Sequence, residues 1–366
     1  MFQSIIDNQK ENLVDISDYG EVTLGKWKRD YIELSGKRFS NPYLLGLQRK
    51  GFIYITTDKK NICHEKFVKL DEVNLERQGK LLGTFDESYS SITEEIISRL
   101  IDNFVDKGNM NSLTYRFNMF DINGKKVSGT TSNNFIANGF LEAILSKHNP
   151  RADMSEHYDD ENYYFPIDHK EYERKIVNGY DNLLIFEELI EYYKKVGVDE
   201  VTAKEFIIQQ AAFDILISNK DRRINSTNTI FLVSTETTIP VNIDYGRALP
   251  FTFHKEENEK YSNMSTDQWN EIIRELSVKD IGEDGLISAG LNMKENIEFL
   301  QENGLKKIKI NVKQLKIDLE DSCERIKGLK PELYEFAKIK AGMVLSRLQN
   351  ETISELWEEY HEEDHL

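Results

Sequence analysis

The sequence contains little of several features that mark specialised classes of protein. Only two cysteines, Cys63 and Cys323, occur in 366 residues, so a disulfide framework is excluded and reduced thiols are the simplest interpretation. No apolar run approaches the roughly 20 residues of a membrane-spanning helix. The N-terminus lacks the basic start and the apolar stretch of a signal peptide. We therefore expect a soluble, cytoplasmic protein that does not engage a membrane.

Basic residues are too few to favour nucleic acid as a partner. The chain has 47 lysines and arginines against 64 acidic residues, which gives a formal charge of −17. Nonspecific nucleic-acid binding depends on clustered cations that release counterions, so we expect no direct nucleic-acid binding. An anionic ligand must instead be held locally, by a metal ion or by a well-placed cation.

Proline and glycine are also scarce, with 6 and 20 residues respectively. Together with 39% hydrophobic and 30% charged residues, this composition indicates a folded, globular chain and not a disordered one. The length exceeds what one compact core usually holds, so two lobes or domains are expected.

Strand patterns dominate the first third of the chain. Strands are predicted over residues 43–47, 51–57, 66–70, 113–120 and 125–131, and an Asn123-Gly124 turn joins the last two. Residues 90–104 instead show apolar side chains at helical spacing, which predicts one amphipathic helix. Ser90 or Ser91 can cap this helix, with Glu94 in its first turn.

After about residue 137 the pattern becomes mostly helical. Helices are predicted over residues 140–146, 168–177, 184–196, 202–218 and 331–348, and a hairpin-like pair of strands at 229–233 and 239–243 interrupts them. The predicted fold class is therefore α+β, in two lobes with a protein-kinase-like layout. Residues 1–137 would form a small antiparallel β-rich N-lobe with one key helix, and residues 138–366 a larger, mainly helical C-lobe.

A polar segment between the helix at 202–218 and the hairpin holds the first candidate catalytic residue. It reads Asn219-Lys220-Asp221-Arg222-Arg223-Ile224-Asn225-Ser226-Thr227-Asn228. Asp221 follows a packed helix end, where a carboxylate of fixed geometry can accept a proton from an incoming hydroxyl. The structural alternative is a turn rich in Asn, Asp and Ser that only caps the helix.

Asp244 is the second carboxylate of the pattern. It leaves the predicted strand at 239–243 and is followed by Tyr245 and Gly246. A carboxylate at this place can reach a metal ion beside the polar loop, and Mg²⁺ prefers one or two carboxylates together with phosphate oxygens and water. An ordinary Asp-x-Gly turn is the alternative. The pairing of Asp221 with Asp244 favours phosphoryl transfer from Mg-ATP.

A lysine and a glutamate in the N-lobe complete the candidate nucleotide site. Lys69 lies on the strand before the amphipathic helix, and Glu94 lies on that helix. A strand lysine that contacts phosphates and is held by a helix glutamate is the usual cationic clamp of kinases. The pattern alone leaves Lys66 as an equal competitor of Lys69, and Glu95 as an equal competitor of Glu94.

These motifs resemble those of the HipA-like (HipA- and CtkA-related) protein kinases, in which Asn-x-Asp-Arg-His-x-x-Asn precedes a hairpin and Asp-x-Gly. A clostridial-type branch looks closer still. Its strand Tyr-Lys-Ile-Asp resembles Val68-Lys69-Leu70-Asp71, and its helix Tyr-Glu-Gly-Leu-Ala-Glu-x-Leu-x-Ser resembles residues 89–98. Its Ser-x-Asn-Phe segment resembles residues 132–135. The matches are collinear over residues 66–249, and they favour Lys69 over Lys66 and Glu94 over Glu95.

The sequence departs from the family pattern at two positions of the polar loop. Arg223 stands where the family has His, and Ser226 stands where its metal-binding Asn is expected. Asn228 directly precedes a strand, as the family Asn does. We therefore predict Asn228 as the metal ligand that accompanies Asp244, with Asn225 as the alternative.

The resemblance implies a Mg-ATP-dependent protein serine/threonine kinase, with ATP and Mg²⁺ as cofactors. Asp221 would be catalytic, Lys69 and Glu94 would bind the nucleotide, and the substrate would be a hydroxyl-bearing side chain of a protein. A toxin or regulatory role is also implied, with an inhibitory partner protein as in toxin–antitoxin pairs. Two alternatives remain open: a phosphoinositide-type lipid kinase, and a nucleotide-binding pseudokinase that acts as an interaction protein.

Overall fold

The computed structural model describes about half of the chain. The described residues are 14–15, 31–34, 37–40, 52–57, 63–71, 76–77, 80–81, 90–106, 108, 110–122, 125–133, 141–144, 186–187, 189–191, 193–194, 197–219, 228–233, 238–249, 265, 267–268, 271 and 293–361. Asp221 and Asn225 lie outside these residues, as do the strand predicted at 43–47 and the helix predicted at 168–177. Predictions made for them therefore stay predictions.

The described elements mix helices with small sheets. The strands are β1 (Val14–Asp15), β2 (Tyr31–Leu34), β3 (Lys37–Ser40), β4 (Phe52–Thr57), β5 (Cys63–Leu70), β6 (Glu76–Arg77), β7 (Lys80–Leu81), β8 (Arg116–Ile122), β9 (Lys125–Asn133), β10 (Leu141–Ile144), β11 (Thr229–Val233), β12 (Thr238–Asn242), β13 (Ile308–Ile310) and β14 (Trp357–Glu359). The helices are α1 (Ser90–Asp102), α2 (Glu200–Ile217), α3 (Met293–Glu302), α4 (Val312–Leu329) and α5 (Tyr334–Leu348). Short 3₁₀ turns cover Pro331–Leu333 and Glu351–Leu356.

A five-stranded sheet in the order β1-β8-β9-β5-β4 forms the first part of the fold. Its neighbours are antiparallel except for β1, which runs parallel to β8. The register pairs Ile122 of β8 with Lys125 of β9, so two residues connect these strands. The Asn-Gly hairpin predicted from the sequence is therefore confirmed. This sheet places Lys69 of β5 opposite Thr130 of β9.

Helix α1 is buried along almost its whole length. Residues 90–101 are all buried, because the helix packs against β8 and β9 of the sheet and also against α4 and α5. The helix predicted at 90–104 is confirmed, and it ends at Asp102. Its polar positions are buried as well as its apolar stripe, and they therefore need partners inside the protein.

The start of α1 differs from the prediction. The helix begins at Ser90, so its first turn contains no acidic residue and Glu94 falls in the second turn. The capping group comes from outside the helix: the backbone N–H of Ser91 donates to Asp71 Oδ1 over 3.1 Å. The hydroxyls of Ser91 and Ser128 also donate to Asp71 Oδ2. A carboxylate at the end of β5 thus fixes the N-terminus of α1.

A second sheet, in the order β10-β11-β12, follows in the later part of the chain. The β11–β12 hairpin confirms the strand pair predicted there. The helix predicted at 140–146 is wrong, because residues 141–144 form β10 and pair antiparallel with β11, from Leu141 opposite Val233 to Ile144 opposite Ile230. Four residues are too few for a stable helix alone, and pairing with a neighbouring strand decides their conformation.

Helices α2 and α5 lie at the centre of the later part. Asp199 caps α2 by accepting the N–H of Thr202, and Ser218 ends it in a left-handed conformation with a φ of 51°. Helix α5 packs against α1, α2 and α4, so it lies between the helix that carries Glu94 and the helix that precedes the polar loop.

None of the described helices is long and apolar enough to cross a membrane. The division into two lobes at residue 137 stays a prediction.

Candidate functional site

Lys69 joins the two predicted halves of the site. Its Nζ donates to Glu94 Oε1 over 2.5 Å and to Asp244 Oδ1 over 2.7 Å. The lysine side chain is 13% exposed. One ammonium group therefore connects the strand β5, the helix α1 and the segment that follows β12. Ion pairs with this geometry, partly shielded from water, are stronger and more directional than exposed pairs.

Glu94 is fully buried, and both of its carboxylate oxygens have described partners. Oε1 accepts from Lys69, and Oε2 accepts from the hydroxyl of Thr130 over 2.9 Å. Thr130 is the residue directly opposite Lys69 in the sheet. A buried carboxylate costs stability unless it is paired and hydrogen-bonded. This pairing holds the lysine ammonium group at a defined position beside Asp244.

Asp244 is the most exposed member of the cluster, with 36% of its side chain accessible. It lies two residues beyond β12 with a φ of 57°, a left-handed conformation that Asp adopts more readily than most residues. Its backbone N–H donates to the hydroxyl oxygen of Tyr115 over 3.2 Å. The turn therefore directs a carboxylate toward Lys69, and about a third of that side chain is accessible.

Gly246 is required by the close approach of the Asp244 turn to α1. A Cβ atom at position 246 would lie 2.7 Å from Cβ of Ser90, a distance that neighbouring side chains do not adopt. The N–H of Gly246 also points at Asp244 Oδ1 over 3.4 Å. The Asp-x-Gly sequence thus allows the turn to pack directly on the first residue of the helix that carries Glu94.

Tyr115 lies beneath the cluster as a neutral group. Burial raises the pKa of Tyr115 well above its ordinary value, and the negative charges of Glu94 and Asp244 raise it further. Its ring packs edge-to-face on Tyr245 with centroids 6.2 Å apart. Tyr115 therefore keeps its proton at physiological pH and supports Asp244 from the apolar side.

Asn228, the preferred metal-binding amide, lies next to the Asp244 segment through the backbone. It is buried and directly precedes β11, and its carbonyl accepts the N–H of Ile243 over 3.1 Å. Ile243 is the residue before Asp244, so the hairpin brings the two predicted metal ligands onto neighbouring strand ends. Among the described residues, no three His, Cys, Asp or Glu side chains converge on one point. A magnesium ion that shares a site with phosphates needs only one or two carboxylates.

Glu95, the competitor of Glu94, points to a different side of α1, because consecutive helix residues are about 100° apart. Its carboxylate lies 2.9 Å from Nη2 of Arg325, 3.2 Å from Nη1 of Arg116 and 3.5 Å from Nε of Arg99. Burial raises its pKa, but the charges of Arg325, Arg99 and Arg116 lower it by more, so the pKa lies well below its ordinary range. The side chain of Lys66 lies outside the described part.

The structure therefore brings Lys69, Glu94 and Asp244 together, with Asn228 beside them along the hairpin. Their roles in binding a nucleotide or a metal stay predictions. Sequence reasoning missed Thr130 and Tyr115, which contact Glu94 and Asp244. Both lie in predicted strands, and the strand pattern contained no signal that selects them, because the contacts depend on sheet register and on the packing of α1.

Comparisons with known proteins give weak structural similarities and no sequence match. No protein-family model matches the sequence, and no curated protein sequence matches it. A proinflammatory kinase of Helicobacter pylori, CtkA, aligns with a TM-score of 0.46 and 11% identity over 90% of this chain and 93% of that one. The MAP kinase LmaMPK10 of Leishmania major aligns with a TM-score of 0.22 and 11% identity over 92% and 86%. Both scores are below 0.5, so the functional proposal is based on the side-chain contacts and on the sequence motifs.

Proposed function

We propose that this protein is an ATP-dependent phosphotransferase, and specifically a serine/threonine protein kinase of HipA-like type. The observation that carries the proposal is the position of Lys69 Nζ, which contacts Glu94 and Asp244 at the same time. A lysine held by a buried helix glutamate and placed next to the Asp of an Asp-x-Gly turn is the arrangement that phosphoryl transfer from Mg-ATP uses.

Each residue of the cluster has a separate task in this proposal. Lys69, held by Glu94, donates hydrogen bonds to the phosphate oxygens of ATP. Asp244 offers a hard oxygen ligand that is partly accessible, which fits Mg²⁺, and Asn228 or Asn225 would supply the second ligand. The bound ion would neutralise part of the phosphate charge. Thr130 and Tyr115 hold Glu94 and Asp244 in place.

The chemical step transfers the γ-phosphoryl group to a hydroxyl oxygen. The bond between the γ-phosphorus and the bridging oxygen breaks, and a new phosphorus–oxygen bond forms on the substrate. Asp221 orients the attacking hydroxyl and accepts its proton, and ADP leaves. Most of the rate enhancement in such reactions comes from positioning and from charge stabilisation.

The finer parts of the proposal rest on the motif resemblance. These are the protein substrate, the toxin or regulatory role, the inhibitory partner protein and the relation to a clostridial-type branch. The loop motif from Asn219 to Asn228 and the Asp-x-Gly at Asp244 support them at the level of sequence.

The test is phosphoryl transfer from ATP labelled at the γ-phosphate, measured as autophosphorylation and on a generic protein substrate. We expect transfer by the unaltered protein and none by Asp221→Ala or Asp244→Asn. Asp106→Asn is the matched control, because Asp106 is exposed and its described hydrogen bond is a local one to the N–H of Gly108. Unchanged transfer in the first two variants would overturn the assignment.

Two further arms separate the alternatives. Phosphoinositide-containing vesicles replace the protein substrate in one arm, and label in the lipid without label in protein would identify a lipid kinase. Calorimetric titration with ATP forms the other arm. Binding of ATP without any turnover would identify a nucleotide-binding protein that is not a catalyst.

A further inference from the structure

Helix α5 carries two basic side chains on its buried face. Lys340 and Arg347 are each 1% exposed. They are seven residues apart, which is close to two helical turns, so both project from the same side of the helix. Helix α5 packs against α2, and the two side chains reach carbonyls at the end of α2 and in the segment after Asp244.

Arg347 binds the end of α2. Its Nε donates to the carbonyl of Leu216 over 2.6 Å, and its Nη2 donates to the carbonyl of Ile215. The last carbonyls of a helix have no partner within the helix and lie at the negative end of its dipole, so a cation is favourable there. The helix ends at Ile217, four residues before Asp221. Arg347 therefore fixes the point from which the polar loop starts.

Lys340 binds the segment that follows the Asp244 turn. Its Nζ donates to the carbonyl of Leu249 over 2.9 Å and approaches the carbonyl of Ala248 at 3.4 Å. Leu249 has a φ of 61°, a strained conformation for a leucine. The N–H of Leu249 donates to the carbonyl of Ile217 over 2.9 Å. The segment after Asp244 is thus tied to α5 by a side chain and to α2 by its backbone.

These contacts form a closed set of three elements. Helix α5 binds the end of α2 through Arg347 and the Leu249 segment through Lys340, while α2 and Leu249 bind each other. The end of α2 and the segment after Asp244 are therefore held at a fixed relative position by one helix face.

The energetics favour a geometric role over a stabilising one. Burial of a basic group in the protein interior is unfavourable, and apolar residues of similar volume would fill the same space at lower cost. Burial alone lowers the pKa of Lys340 to about 7. Its described contacts are two carbonyl oxygens and the ring of Phe336, whose centroid is 5.6 Å away. Lys340 and Arg347 together donate to four backbone carbonyls. Contacts of this specificity fit a role in positioning the segments that carry those carbonyls.

We propose that Lys340 and Arg347 are positioning residues, which hold the start of the Asp221 loop and the segment after Asp244 in a fixed register for phosphoryl transfer. The proposal rests on the function proposed above. It adds two residues that lie outside every motif of the sequence and more than 90 residues after the last candidate ligand, Asp244.

The test compares Lys340→Met and Arg347→Met with Lys338→Met. Lys338 is exposed on the same helix and pairs with Glu335, so its variant controls for loss of one lysine from α5. The first two variants are expected to lower kcat about 100-fold, as a small misplacement of reacting groups does. The KM for ATP should stay within about threefold, because Lys69, Glu94 and Asp244 keep their own contacts. A fall in kcat that matches the fraction of unfolded protein would overturn the proposal.

Hydrogen exchange supplies a readout that does not depend on activity. Lys340→Met should raise exchange of the Leu249 amide about tenfold or more, and Arg347→Met should do so for the amides at 218 and 219. Exchange in Lys338→Met should not change. If these amides exchange as in the unaltered protein, the positioning role is wrong even when the kinase assay succeeds. If exchange rises and the unaltered protein transfers no phosphate, the proposed function fails while the structural role of the two residues stands.

One conservative variant, Arg347→Lys, keeps the test decisive if the methionine variants do not fold. Arg347→Lys keeps the charge but cannot reach two carbonyls with a planar donor pair. It should fold and should show an intermediate loss of kcat together with increased exchange at residues 218–219. Full activity and full protection in Arg347→Lys would contradict the role given to the guanidinium group.

Discussion

Two neighbouring glutamates on α1 face opposite environments, although each is fully buried. In the described part of the chain, Glu94 pairs with Lys69, which it shares with the partly exposed Asp244. Glu95 contacts three arginines, one from α1 itself, one from β8 and one from α4. The first carboxylate lies at the edge of an accessible site and the second lies within the core. The comparison separates a carboxylate that holds the lysine of the proposed ligand site from a carboxylate that connects three elements of the fold.

The arginine side of the helix also explains why Glu94 is held firmly toward Lys69. Glu95 accepts hydrogen bonds from Ser322 of α4 and from the backbone of Phe117 in β8, each over 2.8 Å. Arg325 of α4 reaches the carbonyl of Phe117 over 2.6 Å as well. Rotation of α1 about its axis would break these contacts. The position of Glu94 is therefore fixed by its neighbour in the sequence.

The largest expected effect is the loss of stability in Glu95→Gln. The amide removes the negative charge from the centre of three guanidinium groups and leaves them to repel one another in a buried site. We expect a decrease of about 3 kcal/mol in the free energy of unfolding, as for other broken buried ion pairs. Urea denaturation followed by circular dichroism measures it. A change below about 0.5 kcal/mol would show that the arginines do not depend on Glu95.

Glu94→Gln should show the reverse pattern. Lys69 keeps Asp244 as a partner, so we expect the free energy of unfolding to fall by no more than about 1 kcal/mol. The lysine loses its anchor, and phosphoryl transfer should fall about 100-fold. The measurement is kcat/KM for ATP beside a urea titration of the same sample. If Glu94→Gln and Glu95→Gln lowered the free energy of unfolding equally and kcat/KM equally, the proposed difference between the two glutamates would be wrong.

The pH dependence of stability should reveal the buried lysine of α5. The pKa of Lys340 falls from an ordinary 10.5 to about 7 in the folded protein. Between these values the unfolded chain binds more protons at this site than the folded chain, so stability rises with pH in this window. The slope from this one group is at most about 1.4 kcal/mol per pH unit, and below pH 7 its contribution is constant. The measurement is the free energy of unfolding of the unaltered protein and of Lys340→Met from pH 6 to 10. The difference between the two should follow this curve. A difference that does not change with pH would contradict the prediction.

The smallest expected effect is that of Tyr115→Phe. The variant removes the hydroxyl that accepts the N–H of Asp244 and keeps the ring that packs on Tyr245. Loss of one hydrogen bond costs about 1 kcal/mol, so we expect a decrease in kcat of about fivefold with unchanged affinity for ATP in the absence of Mg²⁺. Tyr334→Phe is the control, since that hydroxyl bonds to Glu324 on the exposed side of α4. An equal effect in both variants would exclude a specific role of Tyr115.

Local patterns in the sequence predicted much of the fold. The Asn-Gly hairpin, the helix at α1 and the β11–β12 pair each follow from periodicity and turn residues that act over a few positions. The helix expected at 140–146 is wrong because residues 141–144 pair with β11, whose residues lie about 90 positions later in the chain. The cap of α1 was missed for the same reason, since Asp71 lies 20 residues before Ser91.

Local sequence patterns also do not determine which side chains meet at the candidate site. Periodicity left Glu94 and Glu95 equal, and only the motif resemblance favoured Glu94, the residue that the structure places against Lys69. Thr130, Tyr115, Arg325 and Lys340 contribute through contacts between distant elements, and their local sequence does not distinguish them from other strand and helix residues. The roles of Asp221, Asn225 and Asn228 stay predictions.

The central claim is that Lys69, Glu94 and Asp244 form one site for a nucleotide and a divalent cation. Calorimetric titration with a non-hydrolysable ATP analogue, with Mg²⁺ and with a chelator, tests it most directly in the unaltered protein and in Asp244→Asn. We predict that the unaltered protein binds the analogue more tightly with Mg²⁺, and that this gain disappears in Asp244→Asn. No binding in the unaltered protein, or an undiminished gain from Mg²⁺ in the variant, would contradict the claim.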